Sequence, residues 1–121
     1  MILVTTNQAK QLLYVSYIER VDRADLERAR REIEALIPEL RPGFRLLTDL
    51  SRLEAMDVAG APELGKLMES IDQSGVSLVV RVIPDPKKDI GLNILTLFHY
   101  RTRPQVISCE RMSQAAAHLG L

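Results

Sequence analysis

Cysteine is nearly missing from this chain, with one residue, Cys109, in 121. A single thiol excludes an intramolecular disulfide framework and a cysteine-rich zinc site, and it suits a reducing compartment. An excess of charge is missing too, since sixteen basic residues face sixteen acidic ones. Without a net field there is no drive toward nonspecific binding of nucleic acid or anionic membrane, so no nucleic-acid partner is expected. Long apolar runs are also absent. Nothing approaches the ~20 residues of a membrane-spanning helix, and residues 1–6 lack the basic start and extended apolar run of a signal peptide. The expectation is a cytoplasmic protein with no integral membrane segment. Internal repeats and low-complexity stretches are missing as well. What remains is a chain of 46% apolar composition, long enough for one hydrophobic core and too short for two ordinary domains, so residues 1–121 are expected to form a single domain.

The apolar pattern divides the chain into alternating elements. Residues 2–5 and 12–18 are apolar, partly β-branched runs joined by a short polar connection, which predicts an opening antiparallel hairpin. Asp22 then precedes a stripe of Leu26, Ala29, Ile33, Leu36, Ile37 and Leu40 at helical spacing, and it is a good N-cap. Pro38 ends that helix, and Arg41, Pro42 and Gly43 close the unit before a strand over 44–50. A helix is expected over 58–74, with Ala61, Leu64, Leu67, Met68 and Ile71 inward and Gly75 as its C-terminal cap. A strand over 76–83 follows, then a loop forced by Pro84 and Pro86, then a helix over 90–100 whose apolar side chains cover more than one narrow stripe. A short strand over 105–107 and a helix over 110–119, capped by Ser108 and ended by Gly120, complete the chain. The order β, β, α, β, α, β, α, β, α predicts an α/β fold with a mixed, mostly parallel sheet of about five strands and about four helices.

That order, together with two short motifs, resembles the STAS domain, shared by anti-sigma-factor antagonists and the cytoplasmic tails of sulphate transporters. Residues 46–51, Leu-Leu-Thr-Asp-Leu-Ser, are similar to the family's central strand, and residues 56–60, Met-Asp-Val-Ala-Gly, to its loop of aspartate, serine, serine or alanine, and glycine. Residues 108–116 resemble its serine-started C-terminal helix with buried alanines. The resemblance spans nearly the whole chain, with two departures. Family members switched by phosphorylation carry a serine or threonine after the loop aspartate, where this chain has Val58. The glycine usual before the first helix is replaced by Glu19.

The resemblance implies a protein-binding surface made of Asp49, Ser51, Asp57, Val58, Ala59 and Gly60. It implies a protein partner, kinase-like or a sigma-factor regulator, no catalysis, and no phosphorylation at the usual position, because valine accepts no phosphoryl group. Ser51, read as the only hydroxyl of the loop, is the substitute phosphoacceptor; its plainer role is to hydrogen-bond its own turn. Asp49 and Asp57 flank that loop, with backbone capping as their local role. Neither has the third carboxylate or histidine that a metal would want nearby, and no metal or cofactor is expected. Cys109, placed at a helix start, has neither a base nor an oxyanion site in view. Arg81 interrupts an apolar strand on the face of Val79 and Ile83. It can anchor a ligand, pair with Asp49 or Asp57, or lay its stem on apolar neighbours and reach water. With Ile94 and Phe98 of the wide helix it defines a candidate ligand pocket, and that same helix is a candidate homodimer seam or simply deeply buried. The leading reading is a noncatalytic regulatory interaction module; the alternative is a carrier or sensor of a small apolar or anionic ligand.

Overall fold

The computed structural model describes residues 1–85 and 99–121. Five strands form one sheet in the order β1-β2-β3-β4-β5: β1 (Ile2–Asn7), β2 (Leu12–Val21), β3 (Arg45–Met56), β4 (Leu78–Val82) and β5 (Gln105–Cys109). The β1–β2 hairpin is antiparallel and every later pairing is parallel. Three α-helices lie among the described residues, α1 (Arg23–Leu36), α2 (Ala61–Gln73) and α3 (Met112–Leu119). The helix expected over 90–100, with Ile94 and Phe98, falls largely outside the described residues.

Alternation along the strands sorts the apolar residues onto two faces. Leu13, Val15, Leu46 and Val79 meet Leu26 and Ile33 of α1 and Leu64, Leu67 and Ile71 of α2 in the larger core. On the other face Leu12, Leu47, Val80 and Val82 meet Ala115 and Leu119 of α3. The local stop and start signals act as expected. Asp22 accepts from the Asp25 amide at 2.8 Å while the Asp25 carboxylate accepts from the Asp22 amide, closing a capping box. A 3-10 turn at Ile37–Glu39 absorbs Pro38, and Gly75 takes a positive φ of 90°, a conformation that strains any other residue, with Pro42 packed closely against it.

Two expectations are corrected. β3 does not stop at Leu50 but continues to Met56, because β2 itself runs on to Val21 and supplies a ladder partner for Arg52, Leu53, Ala55 and Met56. Register shifts between Ser16 and Ile18 and between Glu19 and Arg20 bend this two-stranded extension. Ser108 does not cap the last helix: it lies within β5, and α3 starts later, at Met112, where Gln114 Oε1 accepts from the Glu110 and Arg111 amides, both at 3.0 Å.

Glu19 sits at the second shift with φ 57°, a left-handed conformation that costs a side-chain-bearing residue about 1–2 kcal/mol. This is the position where the resembling family carries glycine. Glu19→Gly removes that strain at some cost in chain entropy, and a net gain of about 0.5–1 kcal/mol in denaturant unfolding is the expected result.

Candidate functional site

The surface begins where β2 and β3 end together. The Asp57 amide donates to the Val21 carbonyl at 3.0 Å, closing the ribbon, and the chain then turns through a 3-10 turn, Val58–Gly60. Asp57 orders this turn, its Oδ1 accepting from the Ala59 amide at 3.0 Å and its carbonyl from the Gly60 amide at 2.9 Å. The capping role read for Asp57 in the sequence is therefore present, on the 3-10 turn rather than on α2 directly. Gly60 is buried because the turn rests on the first turn of α1: a Cβ there would stand 2.8 Å from Leu26 Cδ1. Ala59 is exposed, and Val58 projects furthest, 87% exposed.

α2 leaves this turn with Pro62 in its first turn, which explains why the helix begins at Ala61 and not at Val58. Glu63 follows, 3% exposed, with Oε1 at 3.5 Å from Arg23 Nη2 and 3.2 Å from Lys66 Nζ. Its carboxylate complements the positive end of α2 and ties it to the start of α1. An open hollow of about 440 Å³ lies beside the turn, lined by Arg20 and Val21 at the end of β2, Ala55 and Met56 at the end of β3, and the two capping residues that follow them, Asp22 and Asp57.

Asp49 and Ser51 do not belong to this turn. Both lie within β3, separated from Asp57 by a length of strand. Asp49 is 5% exposed and satisfied locally: Oδ1 accepts from the Ser51 amide at 2.9 Å and the Ser51 hydroxyl at 2.6 Å, and Oδ2 from the Tyr14 hydroxyl at 3.2 Å. Burial, with the nearby Asp49 charge, pushes the Tyr14 phenol upward. Ser51 is exposed, but as a strand residue bonded to Asp49, not as a loop serine.

Arg81 is 2% exposed, so its charge does not reach water along its stem. Register places it opposite Thr48 on the face covered by α1 and α2, whereas Asp49 aligns with Val82 on the face that α3 covers, so the two do not pair across the sheet. Arg81 lines a cavity of about 20 Å³ with Tyr17 and Tyr100, room for roughly one water. Burial holds both phenols far above their ordinary value, with the Arg81 charge a smaller opposing influence. The folded protein thus keeps these protons more tightly than the unfolded chain does. Their contribution is complete below pH about 10 and is lost as pH rises toward the folded values. The thermal midpoint should be flat near pH 8–9 and fall above pH about 10, with a weaker fall in Tyr100→Phe.

The remaining reactive side chains are scattered. Cys109 closes β5 instead of opening a helix; its thiol donates to the Arg81 carbonyl at 3.3 Å and is pushed up by burial. His99 Nδ1 lies 2.8 Å from Glu69 Oε1, and its ring occupies the space over Gly65, where a Cβ would come within 2.5 Å of Nε2. His118 is on α3. Among the described residues no group of three histidine, cysteine or carboxylate side chains is arranged to hold a metal, and none of their helices is long and apolar enough to cross a membrane. Glu63 and Asp72, both buried and both on α2, were not singled out by sequence pattern. Pro62 just before Glu63 marks a helix first turn, where a carboxylate is favoured, and was the available signal for that residue.

No protein-family model and no curated protein matches the sequence. Solved structures do match. The anti-sigma factor antagonist SpoIIAA in its unphosphorylated form superposes with a TM-score of 0.69 at 12% identity, over 99% of this chain and 98% of that one. A Shewanella loihica PV-4 protein of the DUF3478 family, described as having a SpoIIAA-like fold, gives 0.71 at 16% identity over 98% and 92%. An anti-sigma factor antagonist from Mycobacterium paratuberculosis gives 0.60 at 18% identity over 100% and 94%. At such identities the likeness is one of backbone architecture, and the antiparallel hairpin followed by parallel strands agrees with it: the chain has the STAS-like fold of SpoIIAA.

Proposed function

We propose that this protein is a noncatalytic regulatory module of the cytoplasm that binds a protein partner of the anti-sigma-factor class through the turn Asp57–Gly60 and the start of α2. The observation that carries this reading is Val58, an apolar side chain 87% exposed at the tip of a turn held from beneath by Asp57 and Gly60. An apolar side chain already fixed on an ordered turn gains from being buried in a partner without the cost of ordering a loop. Valine at this position leaves no hydroxyl for a phosphoryl group, so binding is constitutive there.

Ser51 is the alternative acceptor, but phosphate adds roughly −2 charge, which would be placed beside the Asp49 carboxylate that now holds the hydroxyl at 2.6 Å. We expect Ser51 to remain unmodified. Affinity capture from the native host, followed by intact-mass measurement of the bait, tests both parts. The expected result is a stoichiometric protein partner and a bait without added phosphate. Stoichiometric phosphate on Ser51 would restore a switch, and failure to retain any partner would remove the binding role.

A further inference from the structure

We propose that the open edge of β1 pairs with the β1 edge of a second copy of this chain, antiparallel about a two-fold axis at Val4. The main-chain N and O of Met1 both bond Ile18, so in the alternating antiparallel pattern Leu3, Thr5 and Asn7 are the residues whose amides and carbonyls face β2. Those of Ile2, Val4 and Thr6 point the other way, and no described residue meets them. Folded proteins ordinarily blunt such an edge with lysine, proline or a bulge. β1, Ile-Leu-Val-Thr-Thr-Asn, has no charge and no proline, and its register with β2 is unbroken.

The occupant is a second copy because the edge is complementary to itself. Pairing Val4 with Val4 of the other copy sets Ile2 against Thr6, and each pair exchanges both N–H···O bonds, with no charged side chain of one strand opposite another. Met1 and Leu3, 47% and 49% exposed, are two of the exposed large apolar side chains, and alternation puts them on one face of this strand. The same register sets Leu3 against Thr5 and diagonal to the other Leu3, which covers part of that surface. The consequence for function is directional. Strands paired antiparallel send their sheets in opposite senses, so the two Val58 turns lie at opposite ends of the joined sheet, and both stay open to partners.

Sedimentation or light scattering across a concentration series should give twice the 13.6 kDa chain mass, and Leu3→Lys, which brings two like charges together at an exposed position, should return it to the monomer with an unchanged circular dichroism spectrum. Leu3→Cys combined with Thr5→Cys should give an intermolecular disulfide on mild oxidation, because the two positions face each other across the seam. A wild-type protein that stays monomeric throughout, or a dimer that survives Leu3→Lys, overturns the proposal. Should Leu3→Lys fail to fold, the cysteine pair decides: no covalent dimer means no β1 seam.

Discussion

Val58→Asp is expected to weaken partner binding by about 30-fold or more, the effect of losing about 2 kcal/mol, the order of magnitude for burying one valine side chain. Two effects act together. The apolar contact made by a side chain 87% exposed in the free protein is removed, and a carboxylate is carried into a surface that must shed its water without a partner charge. Folding should be untouched. The position is fully on the surface, its neighbour Asp57 already holds the turn through the Ala59 amide, and negative charge just ahead of α2 is favourable to the helix. Equal thermal midpoints for the two proteins, alongside a large difference in titration calorimetry, is the expected pattern. A Kd within twofold of wild type would mean that the turn lies outside the interface.

Asp72→Ala should cost about 2–4 kcal/mol of folding stability, as three hydrogen bonds to a buried carboxylate are lost and their donors must find water. Asp72 is 5% exposed near the end of α2, and its two oxygens accept from the Arg101 amide at 3.1 Å, the Thr102 amide at 3.2 Å and the Thr102 hydroxyl at 2.5 Å. These three contacts make the carboxylate the clasp that fastens residues 101–102 to α2 just ahead of β5. Asp72→Asn keeps one acceptor oxygen and should lose less. Denaturant unfolding checks the order wild type, Asp72→Asn, Asp72→Ala; faster hydrogen exchange at 101 and 102 in the alanine variant checks the cause. An alanine variant as stable as wild type would mean that solvent satisfies these donors equally well.

Local signals in the sequence carried most of the architecture. Asp22, Pro38, Gly75 and Gly120 act through backbone geometry within a few residues of themselves, and each ends or begins an element where expected. The apolar stripes of α1 and α2 found their core for the same reason. What the sequence hid depends on contacts far along the chain. The continuation of β3 to Met56 is decided by β2, which offers a ladder as far as Val21 after two register shifts; residues 51–56, rich in polar side chains, carry no sign of it. That extension moved Asp49 and Ser51 out of the loop and left Asp57, Val58, Ala59 and Gly60 as the turn. Burial of Arg81 was likewise illegible, since a strand pattern fixes its face and not how deeply α2 and Tyr100 cover it. Gly65 in mid-helix hinted at a close approach, but only the folded chain brings the His99 ring over it.

The turn's role in recognition is tested most directly by hydrogen exchange of the protein alone and with its captured partner. Binding should slow exchange at residues 57–66, covering the Val58–Gly60 turn and the first turns of α2, while α3, on the opposite face of the sheet, exchanges as before. Protection confined to α3 and β5, with the Val58 turn unchanged, would contradict the assignment of this surface.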